Sequence, residues 1–369
     1  MSLARITAAR ANVVLVSALT LAACASSGQS AGVGGSLDPA SQPPSLPSGP
    51  GPASLGPTPS PSIDPLADRV TASISLGGGP DMPTEGFGSL WVIAVDGPLM
   101  NDGTEPAVHR IDPATSEVVA SIPLPGRLCQ GIGVSPEAVW ACGPDGLLRI
   151  DPETNEVAAE IPLAAALVVS RIAYGAGSVW AFATSAVAPD TVVRVDPATN
   201  RVVATIPLGH AALTMAFGFD ALWVTAPTDD LLLRIDPATG TVEEWASDVE
   251  GAGVLAIGDE ALWISLLGEH GSAAGPDDPT VVRIDPVDGK VTASVATGGS
   301  VEVSGGLTAS SDAIWVRAAD PFLVRIDPGS GEILETIDVP RGSGDVAVAF
   351  GSVWATSEHG DVIRLDPEP

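Results

Sequence analysis

The chain is poor in basic and aromatic residues. Of its 369 residues, 16 are Lys or Arg and 45 are Asp or Glu, which gives a formal net charge of −29, and only 4% are aromatic. Lys290 is the only lysine. Because nucleic acids and anionic membrane surfaces are bound by clustered Lys and Arg, this balance excludes both as partners of the folded part. The partner classes that this charge balance allows are a cation, a basic protein and a neutral ligand.

A hydrophobic run long enough to span a bilayer is also missing. Arg5 and Arg10 precede the apolar stretch ANVVLVSALTLAAC, which is too short for a membrane span and has the form of a signal peptide. The stretch ends in Leu21-Ala22-Ala23-Cys24, which resembles the lipobox of bacterial lipoproteins. We therefore expect residues 1–24 to be a lipoprotein signal peptide with lipidation of Cys24. Plain secretion with an incidental cysteine is the alternative.

Residues 25–67 are rich in Pro, Ser and Gly and have almost no large apolar side chains. Such a segment cannot bury enough surface to fold. We expect it to be a disordered tether between the anchor and the folded domain.

From residue 68 onward the chain is a series of repeats. A Trp in each unit is followed by Arg-x-Asp-Pro, and polar and apolar residues alternate as in four short strands. The markers are Trp91, Trp140, Trp180, Trp223, Trp263, Trp315 and Trp354, followed by Arg110, Arg149, Arg194, Arg234, Arg283, Arg325 and Arg364. Four short strands in each unit, counted from one marker Trp to the next, predict the blade of a β-propeller.

The last repeat lacks its fourth strand, and a matching strand occurs at the other end of the domain. DRVTASISLG at 68–77 matches NRVVATIPLG at 200–209. We expect the N-terminal strand to complete the last blade, which closes the ring and removes an unpaired edge. The sequence thus predicts an all-β, seven-bladed β-propeller over residues 68–369.

The repeating unit, Trp-Val followed by Val-x-Arg-Ile-Asp-Pro-Ala-Thr-Gly-x-Val and Ile-Pro-Leu-Gly, resembles the YVTN-type propeller repeat. It is also similar to the streptogramin (virginiamycin B) lyase-like superfamily. That resemblance implies a divalent metal, a His base and glutamates on the ligand face, with Trp-Phe-Thr-Glu in many blades. Here the matching tetrapeptides, such as Trp91-Val92-Ile93-Ala94, contain no Glu, so no catalytic residue carries over.

The repeated residues have structural explanations. We expect each Trp to be a wedge between blades, and Arg to form an ion pair with Asp or to stack on Trp. Asp-Pro-x-Thr-Gly has the composition of a turn. An acid also precedes every repeat arginine, and these acids either cap turns or form a ring that holds cations: Glu105, Asp145, Asp190, Asp230, Asp278, Asp320 and Asp361.

Two cysteines flank the first hairpin of the second repeat. Pairing Gly133 with Ala138 would place Cys129 opposite Cys142, at a separation that suits a bridge. Since an exported protein meets an oxidising compartment, we predict a Cys129–Cys142 disulfide.

Differences between repeats indicate a binding face. The loop between the second and third strands is longest in repeats 1 and 5, which contain IAVDGPLMNDGTEP and SLLGEHGSAAGPDDP. This loop and the connections between blades lie on one side, which we call the loop face. His210, His270 and His359 are expected on it, with His109 near it and Glu269-His270 as a local pair.

Two columns on the innermost strands follow from alignment on the Trp. The first contains only small residues: Thr84, Gly133, Ala173, Ala216, Ala256, Thr308 and Ala347. The second lies two residues toward the loop face, and we call it the channel mouth: Met82, Gly131, Arg171, Thr214, Val254, Gly306 and Asp345. Arg171 and Asp345 are its only charges, and they either pair through water or form a small-ligand site. Glu85 replaces an apolar residue and is either exposed in an irregular strand or a perturbed carboxylate.

These observations predict a monomeric, extracytoplasmic, lipid-anchored binding module that takes a small molecule or protein through the loop face. No cofactor or metal ligand is assigned, and a divalent cation is left open. A metal-dependent lyase or hydrolase, as implied by the resemblance, is the alternative.

Overall fold

The computed structural model describes residues 63–64, 69–95, 105–125, 131–163, 171–183, 190–247, 249–267, 275, 277–299, 306–318, 322–338, 344–357 and 360–366. These residues form seven β-sheets and no helices. No membrane-spanning helix is therefore found in this part of the chain.

Each sheet contains a blade of four antiparallel strands, which confirms the seven-bladed propeller. Blade 1 comprises β3 (Gly79–Gly86), β4 (Ser89–Val95), β5 (Ala107–Asp112) and β6 (Glu117–Pro123). Blade 2 comprises β7 (Ile132–Ser135), β8 (Ala138–Gly143), β9 (Gly146–Asp151) and β10 (Glu156–Pro162). Blade 3 comprises β11 (Ala173–Gly175), β12 (Ser178–Phe182), β13 (Thr191–Asp196) and β14 (Arg201–Pro207). Blades 4 and 5 comprise β15 (Met215–Gly218), β16 (Ala221–Ala226), β17 (Leu231–Ile235) and β18 (Val242–Ala246); and β19 (Ala252–Ile257), β20 (Leu262–Leu266), β21 (Val281–Ile284) and β22 (Val291–Val295).

Blades 6 and 7 recruit strands from the start of the domain. Blade 6 comprises β23 (Leu307–Ala309), β24 (Ile314–Arg317), β25 (Phe322–Ile326) and β26 (Ile333–Asp338), with β1 (Ile63–Asp64) as a fifth strand. Blade 7 comprises β27 (Val346–Ala349), β28 (Ser352–Thr356), β29 (Asp361–Leu365) and β2 (Val70–Ser75). β1 falls in the segment that the sequence assigns to the tether, and it pairs in parallel with β26.

The N-terminal strand closes the ring as predicted. β2 pairs antiparallel with β29, from Val70 opposite Leu365 to Ser75 opposite Asp361. Arg69, immediately before β2, forms an ion pair with Glu335 of blade 6 and donates a hydrogen bond to the carbonyl of Asp366 (3.2 Å). Because both ion-pair side chains are nearly buried, this contact also fixes blade 7 against blade 6.

The repeat has one register throughout. In every blade the marker Trp pairs with the marker Arg on the third strand and with the small residue of the first column on the innermost strand. The small residue is required where blades converge: a Cβ on Gly133 would lie 2.3 Å from the carbonyl oxygen of Ile172 in blade 3.

The seven tryptophans form the interfaces between blades. Each is buried, and Trp140, for example, packs against Val179 and Ala181 of the next blade. Trp354 of blade 7 packs against Leu90 of blade 1 in the same way, so the series closes on itself. One Trp side chain buries roughly 150–250 Å², or about 4–6 kcal/mol of gross hydrophobic free energy.

Five marker arginines stack on the Trp of their own blade, and three of these also donate a hydrogen bond to a carbonyl of the next blade. The guanidinium of Arg110 lies 5.0 Å from the ring centre of Trp91, and its Nη1 donates to the carbonyl of Pro152 in blade 2 (2.7 Å). The Asp of the motif caps its own turn instead, since Asp112 Oδ1 accepts from the backbone N–H of Ala114 (2.8 Å). Stacking on tryptophan is therefore observed, and an ion pair within the motif is observed as well in blade 7, where Arg364 Nε lies 3.7 Å from Asp366 Oδ1.

Blade 4 breaks this pattern through Trp245, the tryptophan outside the repeat. Its outer strand is irregular beside Trp245, which meets Trp223 edge-on at 5.9 Å. The guanidinium of Arg234 consequently stacks on Trp245, 5.1 Å from its ring centre. Gly289 of blade 5 (φ +72°) makes room, because a Cβ there would lie 2.3 Å from the carbonyl oxygen of Trp245.

The hairpin register predicted for the cysteines is wrong. β7 and β8 are joined by a two-residue turn that pairs Ser135 with Ala138, so Gly133 faces Trp140 rather than Ala138. The backbone N–H of the buried Cys142 donates to the carbonyl of Gly131 (3.0 Å). Cys129 lies outside the described residues, so the disulfide stays a prediction.

Candidate functional site

The channel mouth contains an aspartate that sequence alignment does not place there. Between Asp81 and Thr84, β3 carries a bulge: Thr84 faces Trp91, whereas Asp81 faces Ile93. Met82 has φ +50°, and Pro83 has no N–H to donate, so the strand cannot pair regularly at this point. The bulge moves Asp81 into the position that the alignment assigns to Met82.

Arg171 and Asp345 pair with each other directly across the ring. Arg171 precedes β11 of blade 3 and Asp345 precedes β27 of blade 7, and Arg171 Nη2 lies 2.5 Å from Asp345 Oδ2. Blades 1 and 2 separate these blades on one side of the ring, and blades 4, 5 and 6 on the other. The ion pair therefore spans the central opening, and the contact is direct, whereas the sequence expectation was pairing through water or a small-ligand site.

Asp345 is buried and hydrogen-bonded to the backbone in addition to its ion pair with Arg171. Its side chain is 1% exposed, and its Oδ1 accepts from the backbone N–H groups of Gly306 and Val346, both at 2.8 Å. Its own N–H donates to Thr356 Oγ1 (2.8 Å). Both carboxylate oxygens thus have partners, as a buried carboxylate requires.

Asp81 is the perturbed group at the mouth. It is 5% exposed, and its Oδ1 accepts from the backbone N–H of Met82 (2.9 Å). Burial and the neighbouring Asp345 carboxylate raise the pKa of Asp81 to about 7, against the opposing effects of Arg171 and the Met82 N–H. Asp81 is therefore the carboxylate at the mouth that gains or loses its proton near neutral pH.

A glycine on blade 6 supports this arrangement. Gly306 has φ +94°, and a Cβ on it would lie 2.3 Å from Cβ of Arg317. The absence of a side chain lets the Gly306 N–H approach Asp345 while the buried Arg317 passes behind it on β24. Arg317 is not among the charges that shift the pKa of Asp81.

Glu85 does not join the mouth. It is exposed and faces Leu90 next to the turn that connects β3 to β4, at the end of the strand away from Asp81. The first of the two sequence hypotheses, an exposed residue in an irregular strand, therefore describes it. Asp81 is the carboxylate with the environment that the second hypothesis required.

The described histidines do not share a site. His210 enters blade 4, with Nδ1 2.9 Å from Asp229 Oδ2 and Nε2 3.5 Å from Glu244 Oε1. His109 is in blade 1, where its Nδ1 lies 2.9 Å from Ser121 Oγ and burial lowers its pKa.

The remaining predicted site residues fall outside the described part of the chain. These are Glu269, His270, His359 and the lipidation residue Cys24. Among the described residues, no group of three or more His, Cys, Asp or Glu side chains is arranged to hold a metal ion.

Two of the acids that precede the repeat arginines accept hydrogen bonds from backbone N–H groups in the structure. Asp230 Oδ1 accepts from the Gly251 N–H (2.7 Å), and Asp278 Oδ2 accepts from the Gly275 N–H (2.8 Å). Asp278 thus caps its own turn, whereas Asp230 binds the connection between blades 4 and 5.

A cavity of about 440 Å³ lies away from the mouth, between the outer strand of blade 3 and the turn of blade 4. Arg194, Pro237 and Gly240 line it. In blade 2, Asn155 occupies the position of Gly240 and accepts from Arg110 Nη1 (3.0 Å). The cavity thus reflects a missing side chain in a structural turn, and the mouth remains the stronger candidate site.

The mouth combines a guanidinium that is partly accessible with two buried carboxylates, one of them fully bonded. Such a set recognises charged groups through hydrogen-bonded ion pairs that are shielded from water.

The comparisons with known proteins show the fold. No family model matches the chain, and no curated protein sequence matches it. Virginiamycin B lyase from Staphylococcus aureus is similar in structure, with a TM-score of 0.61 and 15% identity over 80% of this chain and 99% of that chain. The computationally designed Ika8 protein has a TM-score of 0.57 and 14% identity over 81% and 100% of the two chains. The Neurospora crassa Pan2 WD40 domain has a TM-score of 0.59 and 10% identity over 80% and 96%. At such identities the similarity establishes a β-propeller fold and carries no function.

Proposed function

We propose that this chain is a bacterial lipoprotein whose propeller binds a ligand or partner through the loop face, with the channel mouth as the binding site. The observation that carries the proposal is the buried ion pair between Arg171 and Asp345, with Asp81 beside it. A structural ion pair between neighbouring blades would suffice to hold the ring together, as Arg69 and Glu335 illustrate. A pair across the opening with a second buried acid is better suited to recognition.

The anchor is part of the proposal. We infer lipidation at Cys24, a flexible segment that carries the propeller away from the membrane, and an oxidising environment for a Cys129–Cys142 bridge. The YVTN-like repeats and the lipobox-like Leu21-Ala22-Ala23-Cys24 support this assignment. Replacing Cys24 by Ala in the full chain should move the protein from the membrane fraction to the soluble extracytoplasmic fraction. Retention of the variant in the membrane fraction would contradict it.

Binding at the mouth is tested by thermal unfolding of the full chain with small cationic, anionic and neutral probes. A ligand at 100 times its Kd stabilises the folded state by about 2.7 kcal/mol, which should raise Tm by several degrees. We expect at least one class of probe to raise Tm, and we expect Arg171→Gln or Asp81→Asn to alter that effect. If no class stabilises the protein, or if both variants respond like the wild type, the mouth is not a binding site.

A metal-dependent lyase or hydrolase remains the second hypothesis. The structural similarity to virginiamycin B lyase supports a fold that is compatible with this enzyme hypothesis. The hypothesis depends on the loop residues Glu269, His270 and His359, which lie outside the described structure. Metal content after purification and Tm before and after a chelator distinguish the two. A stoichiometric metal with a Tm that falls on chelation would favour the enzyme.

A further inference from the structure

Among the charged groups of the channel mouth that interact with one another, two are acidic and one is basic. Asp81 and Asp345 are both at least nine-tenths buried, and Arg171 is the cation that acts on both. When both aspartates are ionised, these three groups carry one uncompensated negative charge. An uncompensated buried charge is costly, so the site favours a second cation.

The two aspartates differ in which of their carboxylate oxygens already accept a hydrogen bond. Asp345 has a partner on each oxygen: two backbone N–H groups on Oδ1 and Arg171 on Oδ2. Asp81 has the Met82 N–H on Oδ1, and its Oδ2 accepts no hydrogen bond from any described residue. Asp81 Oδ2 is therefore the acceptor at the mouth that a ligand can use.

The mouth already accommodates the chemistry of an organic cation. The Arg171 guanidinium reaches across the ring to a buried carboxylate at hydrogen-bonding distance, which shows that a planar N–H donor fits there. Gly131 and Gly306 occupy two further positions of the mouth without side chains. Arg317 of β24 takes the space beside Gly306.

Other ligand classes fit less well. An anion on Arg171 would face two carboxylates in a chain of net charge −29. A divalent metal would find one carboxylate oxygen without a partner and a guanidinium next to it, and no described group of three ligands is available. N–H donors on a monovalent cation match one buried carboxylate.

We propose that the channel mouth binds an organic monocation, a primary ammonium or guanidinium group, through Asp81 Oδ2, beside the Arg171–Asp345 ion pair. This inference rests on the proposed binding function and specifies its ligand class. The cation belongs either to a free small molecule or to a Lys or Arg side chain of a peptide.

Binding is coupled to loss of the proton from Asp81. Because the pKa of Asp81 is about 7 in the presence of Asp345 and Arg171, roughly one-tenth of the molecules are ionised at pH 6 and nine-tenths at pH 8. Affinity for a cation that keeps its charge over this range should rise about tenfold between these pH values. Each bound cation should displace up to one proton.

The test is isothermal titration calorimetry of the full chain in detergent. The probes are methylguanidinium, n-propylammonium and the blocked peptide Ac-Ala-Lys-Ala-NH2, with propionate, propionamide and CaCl2 as comparisons. We expect the monocations to bind with the tenfold pH dependence and with proton release, measured in buffers of different ionisation enthalpy. The small cations and the peptide separate a free ligand from a side chain: a preference for the peptide indicates a protein partner.

Variants locate the binding. Asp81→Asn keeps the acceptor of the Met82 N–H but removes the charge, so we expect at least tenfold weaker binding and no pH dependence. Asp220→Asn is the matched control, because Asp220 is exposed in the turn between β15 and β16 at the other end of the innermost strand. Arg171→Ala vacates a guanidinium position next to Asp345, so methylguanidinium should raise its Tm more than that of the wild type.

The outcomes separate this inference from the proposed function. If propionate binds and Arg171→Ala abolishes its binding, the mouth is a binding site but the cation inference is overturned. Selective binding of calcium through Asp81 would also overturn it. If no probe of any class binds, both proposals fail. Equal weakening by Asp81→Asn and Asp220→Asn would show a non-specific charge effect and would overturn the inference.

Discussion

Replacing Asp81 by Asn should change the pH dependence of stability in a defined direction. Burial and Asp345 raise the pKa of Asp81 from 3.8 to about 7 in the folded protein, whereas the unfolded chain leaves it near 3.8. Between these values the folded state binds more protons than the unfolded state. The free energy of unfolding therefore falls as pH rises through this window, and this contribution levels off above pH 7. Asn does not titrate, so the variant lacks this loss.

The magnitude follows from the size of the shift. A displacement of about 3 pKa units corresponds to a limiting loss of about 4 kcal/mol, at 1.36 kcal/mol per unit. Between pH 5 and pH 8 the part that comes from Asp81 is about 2–3 kcal/mol. Because Asp81 is only 5% exposed, solvent screening reduces this little. The Asn amide oxygen can still accept from the Met82 N–H, so the substitution removes the charge and retains the local hydrogen bond.

Urea unfolding of wild type, Asp81→Asn and the control Asp220→Asn at pH 5, 6, 7 and 8 measures this. The free-energy difference between Asp81→Asn and wild type should move in favour of the variant by about 2–3 kcal/mol from pH 5 to pH 8. The difference for Asp220→Asn should stay nearly constant. A constant difference for Asp81→Asn, or one that moves in favour of the variant as pH falls, would refute the buried and acid-coupled environment assigned to Asp81.

Three further predictions concern the ring. In urea unfolding, Gly133→Ala should lose about 1–3 kcal/mol of stability, because the added Cβ meets a backbone carbonyl of blade 3. The control Gly299→Ala, with open space around its Cβ, should change stability by less than about 0.5 kcal/mol. Arg364→Ala should lose about 2 kcal/mol, since Nη1 donates to a blade 1 carbonyl at 2.7 Å and the guanidinium stacks on a tryptophan; an unchanged urea midpoint would contradict this. A Cys129–Cys142 bridge predicts that denatured, unreduced protein has neither thiol free, and titration of two thiols would exclude it.

The blades could be predicted from sequence because their physics repeats. A Trp paired with an Arg recurs in every unit, so alignment on Trp91 and its equivalents fixes strand pairing. The missing fourth strand of the last unit left one solution, and the strand beginning near Val70 supplies it. Periodic sequence thus determined the ring.

The site could not be predicted as fully, because it depends on departures from the repeat. Alignment assumed a regular strand and placed Met82 at the mouth, whereas the bulge puts Asp81 there. Pro83 was the available signal, since proline within a strand pattern indicates a bulge. The contact between Arg171 and Asp345 spans 174 residues and depends on how side chains extend across the opening, which spacing in the sequence does not encode. The cysteine hairpin was mispredicted for a related reason, since a two-residue turn at 136–137 replaced the four-residue turn that was assumed.

A crystal structure of the chain grown with methylguanidinium at pH 8 tests the central claim most directly. The account predicts a guanidinium at the channel mouth with a nitrogen about 3 Å from Asp81 Oδ2, beside an intact Arg171–Asp345 ion pair. A mouth without the cation, with the probe absent or bound only elsewhere, would contradict it.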